Sequence, residues 1–242
     1  NNKSWDADTI SNYIKSCIIS NADDAIYCKS ANPVIRNSTF NGNEDAIFAD
    51  GGSQPIVSYN TFTANTRPVH ISPYRIDNNL YGNIFSDNAK DYIEVPGGHV
   101  NENKTYHWLE DGAPYVITDD IYVWEDNDNN QVAILKLYPG VTMAFDPGVY
   151  LYIGQNSDGD AGALQADSVL FTGADSSLLW SQIRFLNYSR DDLSFIQNSI
   201  IERATDGVYL ESASPTIDSN LFRNNEDAIF ADGGSQPIVS YN

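Results

Sequence analysis

One segment occurs twice without a change. NEDAIFADGGSQPIVSYN stands at 43–60 and again at 225–242. Self-similarity at a fixed offset, here 182 in the numbering, marks a repeat architecture. Extending the match back, 16–42 against 198–224 keeps Ile18, Ile19, Ala22, Asp24, Tyr27, Ser30, Ala31, Pro33, Ile35 and Phe40, which makes 28 identities in 45 positions. The chain therefore reads as one full block and the opening of the next, as far as the counterpart of Asn60.

A shorter period runs inside the long one. DAIY at 24–27 returns as DAIF at 45–48, PVHI at 68–71 and YIEV at 92–95. Ile26, Ile47, Val69 and Ile93 form one apolar column, at nearly constant spacing. Cys28, Ala49, Ile71 and Val95 form the next. Ile14, Ile35, Val57 and Leu80 form a third, and Ile19, Phe40, Phe62 and Phe85 a fourth. The second copy adds Val208 and Ile229, Leu210 and Ala231, Ile196, Ile217 and Val239, and Ile201 and Phe222. Apolar residues alternate within runs of three to five, which is strand periodicity. Asn, Gly, Asp and Ser break the runs. Rungs of roughly 21–24 residues in several short strands predict an all-β solenoid, a right-handed parallel β-helix once the resemblance below is added, whose coils pair in parallel about 4.8 Å apart. At that spacing the chain holds about eleven rungs and each block about eight, roughly 40 Å of length.

Polar columns keep the same register. Asn60, Asn83, Asn220 and Asn242 lie two residues before the Phe column, with Cys17, Ser38 and Ser199 at that place in other rungs. Asn43, Asn65, Asn88 and Asn225 lie three residues after it. Stacked amides can hydrogen-bond along the coil axis, and two columns in fixed register favour ladders over Asn serving only in turns.

The pattern PVIRNSTFNGNEDAIF resembles right-handed parallel β-helix repeats of the pectin-lyase-like superfamily. LYPGVTMAFDPGVYLYIG, GALQAD, SVLFTG and WSQIRF resemble the opening rungs of β-helix repeats in bacterial and archaeal cell-surface proteins. The resemblance covers about 15–98 and 133–242 and implies a right-handed parallel β-helix. It is specific for fold and says little of function, because one fold hosts many activities. Residues 99–132 fit the rungs least well. They read as a junction with capping strands at Tyr115–Ile117 and Ile121–Val123, between the last rungs of one block (1–98) and the following block (133–242). Trp108 and Trp124 are candidates to cover exposed strand edges there.

Composition narrows the function. With 13 Lys and Arg against 33 Asp and Glu the net charge is −20, which repels nucleic acid and anionic lipid. No run of 18 apolar residues spans a membrane. Enzymes of the resembled superfamily place Asp, Arg or Lys on outward positions of neighbouring rungs. The outward positions beside the first column are Ala25 and Tyr27, Ala46 and Phe48, Pro68 and His70, and Tyr92 and Glu94. These give no group of three or four carboxylates. Arg67, His70 and Arg75 are the best lyase-like constellation. Arg67, however, falls in the column Asp24, Asp45, Arg67, Asp91, where a cation between anions reads more simply as a surface charge ladder. Tyr27 with Phe48 and Tyr209 with Phe230 form outward aromatic pairs, either a glycan or partner contact or rings covered by a neighbouring loop. His99 and His107 lack metal-ligand spacing. Cys17 and Cys28 fall in inward columns and read as packed thiols rather than a disulfide. Sequons at Asn2, Asn37, Asn103 and Asn187 weigh little in so Asn-rich a chain.

No cofactor is required by this reading. Calcium is the one candidate, at Asp126, Asp128 and Asn130 and at Asn156, Asp158 and Asp160, where alternating oxygens suit a hard cation. Neither loop completes an EF-hand, and solvated acidic turns are the alternative. The expected function is a non-enzymatic repeat unit of an extracellular or cell-surface fibre, stalk, surface layer or adhesin. Its expected partners are further copies of the repeat in cis, with lateral or head-to-tail assembly. A glycan-active enzyme or glycan-binding module is the alternative. The array is expected to continue past Asn242 with a strand like Thr61–Thr63.

Overall fold

The computed structural model describes residues 12–125, 131–155 and 160–242. They form a parallel β-helix. Every strand pair is parallel, and each strand bonds to its counterpart one coil away. Five sheets result. Sheet I holds Tyr13–Lys15, Val34–Arg36, Ile56–Ser58 and Leu80–Tyr81. Sheet II holds Ile18–Ser20, Thr39–Asn41, Thr61–Thr63 and Ile84–Ser86. Sheet III is the longest, with nine strands from Asp24–Lys29 to Leu221–Arg223. Sheet IV runs from Gly98–Val100 to Asp227–Asp232, and sheet V from Thr105–Trp108 to Ile238–Ser240.

The apolar columns are confirmed in register. Ile14 pairs with Ile35, Ile35 with Val57 and Val57 with Leu80. Ile19, Phe40, Phe62 and Phe85 stack likewise, with the last three rings 5.1 and 5.0 Å apart. These side chains face one continuous core, and most are fully buried. The corner ahead of the Phe column is turned by left-handed residues: Ser16, Asn37 and Tyr59 between sheets I and II, Ser168, Asn198 and Ser219 between sheets V and III. Each passes its N–H to a carbonyl of the next coil, so the turn leaves no orphan donor.

The block repeat and the sheets do not keep step. DAIFAD lies in sheet III at Asp45–Asp50 and in sheet IV at Asp227–Asp232. Sheet III runs unbroken through Ile47, Val69, Ile93, Tyr115, Met143, Phe171, Ile201 and Phe222. A column that begins on the DAIF strand thus ends on the counterpart of Phe40. The exchange occurs between Leu80 and Pro114. Sheets I and II end there, and sheets IV and V begin. Residues 109–114 cross above Asn83, where Gly112 adopts φ +72° and a Cβ would lie 3.1 Å from the Asn83 carbonyl. Pro114 then accepts the Ile93 N–H, so this coil passes straight to sheet III without a sheet II strand.

Several expectations change. One block spans seven steps of sheet III rather than eight, because the steps from Tyr115 to Met143, to Phe171 and to Ile201 each take up more chain than those before Tyr115. The count of eleven rungs falls for the same reason. Tyr115–Ile117 and Ile121–Val123 form as expected, but they pair on both sides within the stack. Trp108 is fully buried, with its ring 5.0 Å from Tyr115, so it packs the core and covers no edge. Trp124 is buried beside Tyr122 and His99. Ala46 and Pro68 are buried. Asp91 leaves the Arg67 column and accepts from Asn88 instead. Cys28 is buried, whereas Cys17 is exposed in the first described coil; both are free thiols.

Candidate functional site

The outward face of sheet III carries the chemistry. Its register sets Tyr27, Phe48, His70, Glu94, Val116, Ala144 and Thr172 in one outward column. The rings of Tyr27 and Phe48 stack at 5.7 Å, and those of Phe48 and His70 at 4.2 Å. Sugar rings dock on aromatic faces, and here the inner faces are already taken by neighbours. Tyr209 and Phe230 stack in the same way at 5.1 Å, on sheet IV.

Arg67 and His70 meet at Glu94. Arg67 clamps Asp45 through Nε and Nη2 and donates from Nη1 to Glu94 Oε1 at 2.8 Å. His70 Nδ1 lies 3.0 Å from the same oxygen, and Lys90 Nζ 3.2 Å from Oε2. The His70 hydrogen bond, followed by those from Arg67 and Lys90, holds the Glu94 carboxyl down at about 2 against the opposing effect of burial. The Asp45 clamp pushes the Arg67 guanidinium further up. Neither group is poised to exchange a proton near neutrality. Arg75 takes no part: its guanidinium lies over the Tyr74 ring and against Gly52. The geometry is the charge ladder the sequence suggested, with Glu94 in place of Asp91.

Glu94→Gln should cost about 1–2 kcal/mol at pH 7, the worth of the charge in bonds that the neutral amide oxygen of a buried side chain still partly accepts. Because the folded carboxyl titrates lower than the free one, its contribution is present above about pH 4.5 and is lost as pH falls towards 2. Urea unfolding of both proteins should therefore converge at acid pH; a constant gap would refute the assignment.

A second cluster closes the column. Glu202 accepts from Arg223 Nε and, at 2.8 Å, from Thr172 Oγ1, which itself accepts from Arg203 Nη2 at 2.6 Å. Between the clusters lies a furrow of about 770 Å³. Its floor is Val116, Ala144 and Thr172, and its walls are Tyr92, Pro114, Asp146, Pro147 and the segment from Gly173 to Ser176.

The Asn columns are ladders. Asn60 accepts the Ser38 N–H and donates to Ile35 O and Asn83 Oδ1. Asn83 repeats this one coil on, against Val57 O and Asp111. Asn43, Asn65 and Asn88 form the parallel run, ending on Asp91. In the second copy Asn220 bonds to Asn242, and Asn225 joins Ala204 N to Ile201 O. Of the calcium candidates, Asp126, Asp128, Asn130, Asn156 and Asp158 lie outside the described residues. Asp160 is half-buried. Among the described residues no group of three or more His, Cys, Asp or Glu could hold a metal, and no helix is long and apolar enough to cross a membrane. His107 Nδ1 lies 3.0 Å from the Tyr138 hydroxyl.

Sequence reasoning missed the Asp termini of both ladders and the Glu202 cluster. It also missed a stripe on sheet IV where His99, Tyr122, Tyr152, Arg184, Tyr209 and Phe230 succeed one another coil by coil. The signal for the stripe was present, but coils of unequal length hid the register. A family model described as right handed beta helix region matches residues 6–132. No curated protein and no solved structure matches the chain.

Proposed function

The chain belongs to the right-handed β-helix family, and from that premise we propose that it is a structural repeat unit of a long rod on the cell exterior, not a catalyst. The observation that carries this reading is the segment at 43–60 returning unchanged at 225–242 within one unbroken stack. A catalyst needs one site on one scaffold and gains nothing from near-identical blocks; a fibre, stalk or adhesin gains length. Seven steps at about 4.8 Å give roughly 34 Å per block. The −20 charge keeps such rods soluble and apart. The outward charges support the same reading: Glu94 and Glu202 are each consumed by their own cations. Further copies in cis are the proposed partners.

The test is a glycan panel assayed for new reducing ends and for unsaturated products. No turnover is expected. Turnover abolished by Arg67→Ala or His70→Ala, with the fold intact by circular dichroism, would make the chain an enzyme instead.

A further inference from the structure

The furrow on sheet III is not explained by a purely structural role. Its floor is made of short side chains on three successive coils, Val116, Ala144 and Thr172, each only 6–7 % exposed. The same column carries His70 and Glu94 before them, and Glu202 bonds to Thr172 beyond. The bulky residues stop where the furrow begins. Val116, Ala144, Pro114 and Pro147 offer an apolar trough, and Tyr92 stands at one end as an aromatic wall.

The charges of the lining are all of one sign. Asp146 and Asp175 are the ionisable carboxylates among the lining residues; the one guanidinium bonded to the lining, that of Arg203, is held at the far end by Thr172 and Gly173. They are not equivalent. Asp175 is tied to the Ser177 N–H and hydroxyl, each at 2.7 Å. The half-buried Asp146 side chain has neither hydrogen bond nor ion pair among the described residues, while its main chain is fixed to Ile117 and Val149. Lys90, the cation whose charge acts on Asp146, is bonded to Glu94. Burial, and after it the Glu94 charge, act against the Asp146 anion, and Lys90 offsets only part of this from a distance. A carboxylate held in an apolar trough without a counter-ion gains from a cation brought to it.

We propose that this furrow binds an organic cation on an apolar stem, of the size and chemistry of a lysine side chain. The stem lies on Val116 and Ala144, against Tyr92, and the ammonium reaches Asp146. This goes beyond the rod: each block would carry one such site along its length.

The probe is Nα-acetyl-lysine methylamide, titrated into the isotopically labelled chain at low salt and followed by two-dimensional NMR. Its neutral analogue, Nα-acetyl-norleucine methylamide, has a similar apolar stem without the charge. The lysine probe should shift signals of Val116, Ala144 and Thr172 together, and the norleucine probe should bind at least tenfold more weakly. Asp146→Asn should weaken the lysine probe about tenfold. Asp87→Asn removes one exposed charge that does not line the furrow and should leave the affinity unchanged, which separates a site from attraction to a chain of net charge −20. Equal binding of the two probes, unchanged affinity in Asp146→Asn, or shifts spread over the surface and weakened equally by Asp87→Asn would each overturn the proposal. None of these results bears on the rod, which the glycan panel tests separately.

Discussion

Asn60→Ala should lower the stability of the folded chain by about 2–4 kcal/mol, from one buried orphan donor, one carbonyl that loses a bond and a small void. The substitution removes little apolar contact. Its cost lies in what it leaves behind. The Ser38 N–H loses its acceptor at 3.0 Å, and the Ile35 carbonyl loses its second donor at 2.9 Å while keeping its bond in the ladder to the next coil; both residues are buried. Each buried orphan costs about 1–3 kcal/mol. Asn60→Ser should recover roughly half of the loss. Serine already holds this position in other coils: Ser38 Oγ accepts the Cys17 N–H, and Ser199 Oγ accepts the Val169 N–H while donating to the Gln197 carbonyl. Urea titration of the three proteins checks this, read as midpoint shifts at constant slope. A loss below about 1 kcal/mol for both variants would show that solvent satisfies the corner and that the ladder is dispensable.

That corner also shows how far the sequence can be read. The Asn and Phe columns were legible because the coils between Ile14 and Val95 repeat with little drift, and parallel pairing turns a fixed period into a fixed register. Between Leu80 and Pro114 the sheets exchange, and past Tyr115 the coils lengthen, most of all between Phe171 and Ile201, so no constant offset aligns them. Asp111 was therefore invisible as the successor of Asn83, although it takes over the same hydrogen bonds. Arg67 was placed in the right column, between the right kind of neighbours. Glu94 was recognised as outward, but its convergence with His70 and Lys90 depends on side-chain reach, which spacing does not encode. The furrow was illegible for a different reason. It exists because Val116, Ala144 and Thr172 are short where neighbouring coils carry large outward groups, and an absence of bulk shows only once the register is known.

Asp111 should make the chain less stable as pH rises from about 4 to 7, by up to about 3 kcal/mol. The carboxyl is almost wholly buried. It accepts the Asn83 N–H at 2.9 Å and the Asn83 side-chain amide at 2.7 Å. Burial pushes its pKa up to about 6, and the two Asn83 bonds offset only part of that. A carboxyl that titrates higher in the folded state binds more protons there than in the unfolded chain. Its stabilising contribution is complete below the ordinary value near 4 and disappears as pH passes 6. Glu94 acts with the opposite sign and below pH 4.5, so the two windows separate. Asp111→Asn keeps a carbonyl acceptor for Asn83 and carries no charge at any pH. The stability of the variant relative to the parent should rise by up to about 3 kcal/mol between pH 4 and 7. Urea midpoints at half-unit pH intervals measure it, and a flat difference would mean that Asp111 does not titrate in this range. The physical reason for an acid here is the exchange of sheets. An asparagine needs a carbonyl for its own amide, and each ladder asparagine finds one on the coil before it, as Asn83 does at Val57. Where sheets I and II end and residues 109–114 cut the corner, a group that only accepts can close the ladder without needing that carbonyl. The burial of its charge is what the ladder incurs for ending inside the molecule.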